Sequence, residues 1–96
     1  GNRDASDQDP ELRALIDAPR PVPLFLAGER VCNNSGGRMG VISEEPQQWV
    51  APVRLTTGVL REGHWTYAVA WDGQMGLTIR YAEDLLRPVQ LQPMAG

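Results

Sequence analysis

Apolar and polar residues alternate most regularly between His64 and Tyr81. Trp65, Tyr67, Val69 and Trp71 stand at every second position, separated by Thr66, Ala68 and Ala70. After Asp72-Gly73, Met75, Leu77, Ile79 and Tyr81 alternate with Gly76, Thr78 and Arg80. A period of two puts each set on its own face of a strand, so the segment predicts a β-hairpin. A two-residue Asp72-Gly73 turn would pair Trp71 with Gln74 and aim the two apolar sets in opposite directions. A loop of three residues (72–74) or five (72–76) keeps them on one face. A slip of one residue reverses every side chain, so the apolar pattern decides the register. The expectation is an odd loop, with Trp65, Tyr67, Val69, Trp71, Met75 or Leu77, Ile79 and Tyr81 facing inward.

The rest of the chain divides around this hairpin. Residues 1–8 are polar and acidic without a period and read as a disordered tail. Asp9-Pro10-Glu11 is a helix start, with Asp at the N-cap, Pro in the first helical position and an acid at the positive end of the dipole. Leu12, Leu15 and Ile16 give a helix over 9–18 one apolar face, and Ala18-Pro19 ends it. So short a helix is marginal alone and must dock. Residues 19–27 open with Pro-Arg-Pro-Val-Pro, a stiff polyproline-type spacer whose other reading is a ligand for a proline-recognising domain. Leu24-Phe25-Leu26 is expected to re-enter the core.

From Gly28 the pattern is β throughout 28–91. Residues 28–32 and 38–43 read as strands joined by the turn-rich Asn33-Asn34-Ser35-Gly36-Gly37. Gly40 inside the second suggests a bulge or tight bend. Residues 44–52 read as a polar loop, 53–60 as a stretch open to being an extra strand, and 61–63 as a turn. Ala82 to Leu86 makes one helical turn. Residues 87–91 form a closing edge strand, where Pro88 is tolerated. The last five residues, 92–96, read as a frayed tail.

Composition sharpens this picture. Eight prolines and ten glycines among 96 residues favour short strands joined by turns over a helical bundle. The net charge of −3 is concentrated in residues 1–17, which hold five acids and two arginines. The remainder is neutral, so it lacks the electrostatic footprint of a non-specific nucleic-acid binder. All nine basic residues are Arg. The bland source of that bias is coding composition; the sharp one is planar, bidentate recognition. A single cysteine, Cys32, excludes an internal disulfide, and with the single histidine, His64, it falls short of a Cys/His zinc site. No cofactor or metal is expected. The expected location is a reducing, cytoplasmic compartment, with no membrane partner: no apolar run approaches ~20 residues, and no signal-peptide pattern is seen.

Four strings together resemble a known fold: Gly28-Glu29-Arg30-Val31, Gly37 to Ile42, Trp65 to Gly73, and Arg80 to Val89. They look like an SH3-like five-stranded barrel, with the short helix before it and one helical turn before the last strand. The chain is most similar to the Tudor- or KOW-like accessory barrels of bacterial Swi/Snf-type helicases, over roughly residues 28–90. The resemblance implies a binding module, and such barrels host many functions. Residues 44–63 are longer than the corresponding loop usually is. A second SH3-like group, the plasmid-encoded trimethoprim-resistant dihydrofolate reductase, has a glutamine where Thr78 stands here, so its activity is not carried over.

Candidate chemistry is sparse. His64 has no evident partner for general-base work and reads first as a half-exposed strand residue. Cys32 reads as an inert thiol at a strand end. Neighbouring acids such as Glu44-Glu45 point to opposite faces of a strand. Trp49 stands out, because no core pattern requires it: it either covers the barrel or anchors a partner. Arg38, Arg54 and Arg61 are the arginines that would share a rim with it, and with His64 they make the candidate binding set. The sequence thus predicts a non-catalytic module engaging a protein partner or larger host, with nucleic acid as the second ligand class. The alternative is a self-associating barrel, a homo-oligomer with its ligand or catalytic site between subunits.

Overall fold

A computed structural model of the chain describes residues 9–89. The two predicted tails, 1–8 and 92–96, lie outside the described residues, as do the last two residues of the predicted closing strand. Helix α1 runs from Pro10 to Asp17. Its start follows the sequence rules: Asp9 Oδ1 accepts the Leu12 N–H at 3.1 Å, and Pro10 occupies the first position. Ala18 is extended (φ −64°, ψ 147°) and ends it. Of the apolar face, Leu12 is buried, while Ile16 is 43% exposed.

The remainder is β and antiparallel. The strands are β1 (Arg30–Asn33), β2 (Met39–Ile42), β3 (Gln48–Val50), β4 (Val53–Arg54), β5 (Leu60–Arg61), β6 (His64–Trp71), β7 (Thr78–Ala82) and β8 (Leu86–Pro88). A 3₁₀ turn, Glu83–Leu85, separates β7 from β8. Strand β6 organises the main sheet. Its first half pairs with β3 and its second half with β2 along one edge, while β7 runs along the other. From β2 the sheet continues through β1 to β8. Pro88 thus sits on an edge strand, facing Val31. Among the described residues β7 and β8 do not pair, so the sheet is open and more finely divided than the five strands expected.

The hairpin register is odd, as the apolar pattern requires. Val69 faces Ile79 and Tyr67 faces Tyr81, the last pair is Ala70 with Thr78, and residues 72–77 separate the two strands. Three loop residues have positive φ: Gly73, Met75 and Gly76. The core is Phe25, Val31, Ile42, Tyr67, Val69, Trp71 and Leu86, with Trp65 and Tyr81 packed against it. Gly40 lies in this core for reasons of space. A Cβ there would sit 2.7 Å from the Ala70 carbonyl oxygen and 3.0 Å from the side chains of Trp71 and Val69.

Several expectations are corrected. Met75, Leu77 and Ile79 do not face a core; among the described residues nothing covers that end of β7, and they are 97%, 69% and 42% exposed. Leu24 and Leu26 are exposed and only Phe25 inserts. Residues 44–52 are not all loop: β3 forms there because Trp49 lies opposite Trp65. Residues 53–61 make a small separate hairpin, β4–β5, closed by Leu55 N–H to the Val59 carbonyl at 2.8 Å.

Candidate binding site

The first half of β6 projects Trp65 and Tyr67 toward the segment that follows α1. The rings of Trp49 and Trp65 meet edge to face, with centroids 5.1 Å apart. Gly63, just before β6, makes this possible, because a Cβ there would overlap Trp49 Cζ2 and lie 3.0 Å from Pro52 Cδ. The Arg20 guanidinium lies over the Trp49 ring, 5.4 Å from its centroid, within cation–π range. Trp65 Nε1 donates to the Pro21 carbonyl at 2.6 Å.

The contacts continue along the segment. The Leu24 N–H donates to Glu83 Oε2 at 3.1 Å, and the Phe25 N–H donates to the Tyr67 hydroxyl at 3.4 Å. Tyr67 in turn donates to Glu83 Oε2 at 2.5 Å, and Phe25 packs edge-on against its ring at 5.3 Å. Burial, reinforced by the Glu83 carboxylate, pushes the Tyr67 phenol up to about 12. Tyr67 therefore remains a neutral donor to Glu83 at physiological pH.

Beside these contacts lies an open groove of about 570 Å³. Arg61 and His64 line it together with Glu62, Glu83 and Asp84, and Leu24 and Leu86 add apolar surface. Arg61 Nη2 is 3.3 Å from His64 Nε2, and His64 Nδ1 is 3.5 Å from the Glu62 carbonyl. An arginine can only donate, so Nε2 accepts and the proton sits on Nδ1. The imidazole is thus oriented by a cation and a backbone carbonyl, an arrangement unlike that of a base held by a carboxylate. Among the described residues no group of three His, Cys, Asp or Glu side chains could hold a metal ion. Likewise, no helix among them is long and apolar enough to cross a membrane.

The five sequence candidates are only partly brought together. Trp49, Arg61 and His64 share this end of β6. Arg38 is at the other end, its guanidinium 5.1 Å from the Trp71 ring centroid. Arg54 fastens α1: its Nε and Nη2 grip Asp9 at 2.8 and 2.9 Å, and its Nη1 reaches the Gly58 carbonyl at 3.0 Å. This fork holds the Asp9 carboxyl down to about 2. Sequence reasoning missed Arg20, Pro21 and Glu83. The proline run was the available signal for the first two; a contact between residues 24 and 83 leaves none. Cys32 is half-buried beside a second groove of about 460 Å³ with Met39, Arg87, Pro88 and Val89.

Compared with family models, curated proteins and solved structures, the chain finds no match.

Proposed function

We propose that the chain is a non-catalytic binding module that holds an extended polypeptide segment at the start of β6. One observation carries this reading: side chains of the β domain bond the backbone of residues 21–25. Trp65 takes the Pro21 carbonyl, Glu83 the Leu24 N–H and Tyr67 the Phe25 N–H. Contacts to backbone polar groups suit an extended peptide of varied sequence. The groove alongside mixes Arg61 with Glu62, Glu83 and Asp84, which suits a polypeptide better than a polyanion. The sheet runs β3-β6-β2-β1-β8 with β7 also paired to β6, and the 3₁₀ turn before β8 is the feature in keeping with the SH3-like resemblance. With that resemblance comes the role of an accessory unit in a larger bacterial system.

The test is fluorescence anisotropy at near-physiological salt, with labelled unstructured peptides and labelled single-stranded oligonucleotides. Saturable peptide binding that weakens in Trp49→Ala supports the reading, provided the variant keeps its far-ultraviolet dichroism. Binding of oligonucleotides alone overturns it.

A second reading, self-association, is favoured by a different observation. Met75, Leu77 and Ile79 are exposed next to the edge of β7 that pairs with no strand among the described residues. Against it, Leu12 of α1 is buried within its own chain. Light scattering at two concentrations separates the readings, since only self-association makes the mass rise with concentration.

A further inference from the structure

We infer that the outer edge of β7 is a dimerisation surface whose partner is β7 of a second copy of this chain, related to the first by a two-fold axis at Ile79. The inference rests on the self-association reading above, and it names the surface and its register. The edge is open because of how β6 shares out its backbone groups. The Ser43 N–H donates to the Ala68 carbonyl at 2.9 Å, and the Asp72 N–H donates to the Met39 carbonyl at 2.8 Å. Ala68, Ala70 and Asp72 therefore turn their backbone groups toward β2, and the alternate residues Tyr67 and Val69 turn theirs toward β7. Tyr81 and Ile79, opposite them, receive those groups. The backbone N–H and C=O of Thr78 and Arg80 then point outward, where no strand among the described residues pairs with them. Such edges are usually blunted by a lysine, a proline or a bulge. The one charge on β7, Arg80, is turned back over β6, where its Nη1 donates to the Thr66 carbonyl at 3.2 Å.

Self-pairing fixes the register. An antiparallel copy with Thr78 facing the partner's Arg80 exchanges backbone hydrogen bonds at both symmetric positions, about four in all. It sets Ile79 against the partner's Ile79 and Leu77 against the partner's Tyr81, so apolar side chains meet on one face. On the other face, Thr78 Oγ1 donates to Glu45 Oε1 at 3.4 Å. The partner's Arg80 stands across from that pair, so unlike charges are matched twice about the axis. A register with Arg80 facing the partner's Arg80 would oppose like charges instead. Met75 is a second sign. Its backbone is left-handed (φ 51°), which costs a residue with a Cβ, and it holds an apolar side chain out in water beside this edge. Trp49 lies across the opposite edge of β6, so pairing leaves the polypeptide site free.

The experiment is sedimentation equilibrium of the full chain over about a hundredfold range of concentration, because a strand-edge interface of this size is weak. The mass is expected to rise toward that of a dimer and stop there, since a two-fold contact closes on itself. Leu77→Lys puts a charge at an exposed position opposite the partner's Tyr81 and is expected to raise the dissociation constant about tenfold or more. Glu45→Arg alone and Arg80→Glu alone are each expected to weaken the dimer. An equimolar mixture of the two is expected to restore it, because each copy then meets the opposite charge. Should either charge variant lose its far-ultraviolet dichroism, Leu77→Lys decides alone. A mass that stays monomeric throughout overturns the inference and the self-association reading together. Growth beyond the dimer, a dimer indifferent to Leu77→Lys, or a mixture of folded variants no more dimeric than its components overturns the inference and leaves self-association standing.

Discussion

Trp65 and Pro21 are 44 positions apart in sequence, yet the indole Nε1–H donates to the proline carbonyl at 2.6 Å. This bond ties the segment after α1 to the strand that organises the sheet. A Trp65→Phe variant keeps the strand and loses the bond. It is expected to lower unfolding stability by about 1 kcal/mol in urea titration, with far-ultraviolet dichroism unchanged. An unchanged midpoint would mean the bond contributes nothing to holding the segment.

Gly63 and Trp49 are coupled by space alone. A Cβ at Gly63 would overlap the Trp49 ring, so Gly63→Ala must push the indole off Trp65. Overpacking of this kind costs about 1–3 kcal/mol. The expected result is a lower urea midpoint together with altered tryptophan fluorescence. Normal stability and normal emission would show that the ring is not seated against this backbone.

The docking of α1 is pH-dependent in a defined window. Asp9 is held at about 2 in the folded chain, below its ordinary 3.8, first by its hydrogen bonds from Arg54. The unfolded chain therefore takes up the proton first, so the stabilisation is present above about pH 4 and is lost as the pH falls toward 2. Asp9→Asn keeps an N-cap acceptor and removes the titration. Unfolding midpoints measured from pH 5 down to 2 are expected to fall more steeply for the unaltered chain than for this variant. Parallel curves would contradict the account.

Tyr67 behaves in the opposite sense. Its folded value, about 12, lies above the ordinary 10.0, chiefly through burial and then through Glu83. The unfolded chain loses the proton first, so this stabilisation is present below pH 10 and disappears between 10 and 12. Glu83→Gln removes the negative charge beside the phenol and is expected to lower its titration midpoint without restoring 10.0, since burial remains. Phenolate absorbance during alkaline titration reads this directly. A midpoint unmoved by the substitution would show that the carboxylate does not act on Tyr67.

Local patterns made much of the fold legible. Asp9-Pro10 marked the helix start. The alternation through Trp65, Tyr67, Val69 and Trp71 gave β6 its core face, and the parity argument selected an odd loop. The same alternation failed for Met75, Leu77 and Ile79, because period two tells which residues share a face and not whether anything covers it. Strand β3 was hidden because its residues look like loop until Trp49 is placed opposite Trp65. The candidate site was less legible still. Trp49, Arg61 and His64 were found as isolated residue types, but Arg54 had a partner in Asp9 and Arg38 had one in Trp71, both far away in sequence. Glu83 joins Leu24 to Tyr67 through contacts that no local period encodes.

The central claim is that the start of β6 receives extended polypeptide. Its most direct test is a titration of the full chain followed by proton–nitrogen correlation spectra, reading the indole N–H signals of Trp49, Trp65 and Trp71. An unstructured peptide is predicted to shift Trp49 and Trp65 saturably and to leave Trp71 in place, while a single-stranded oligonucleotide leaves all three in place. Peptide-induced shifts confined to the 75–79 region, or shifts of Trp49 and Trp65 by the oligonucleotide instead, would contradict the account.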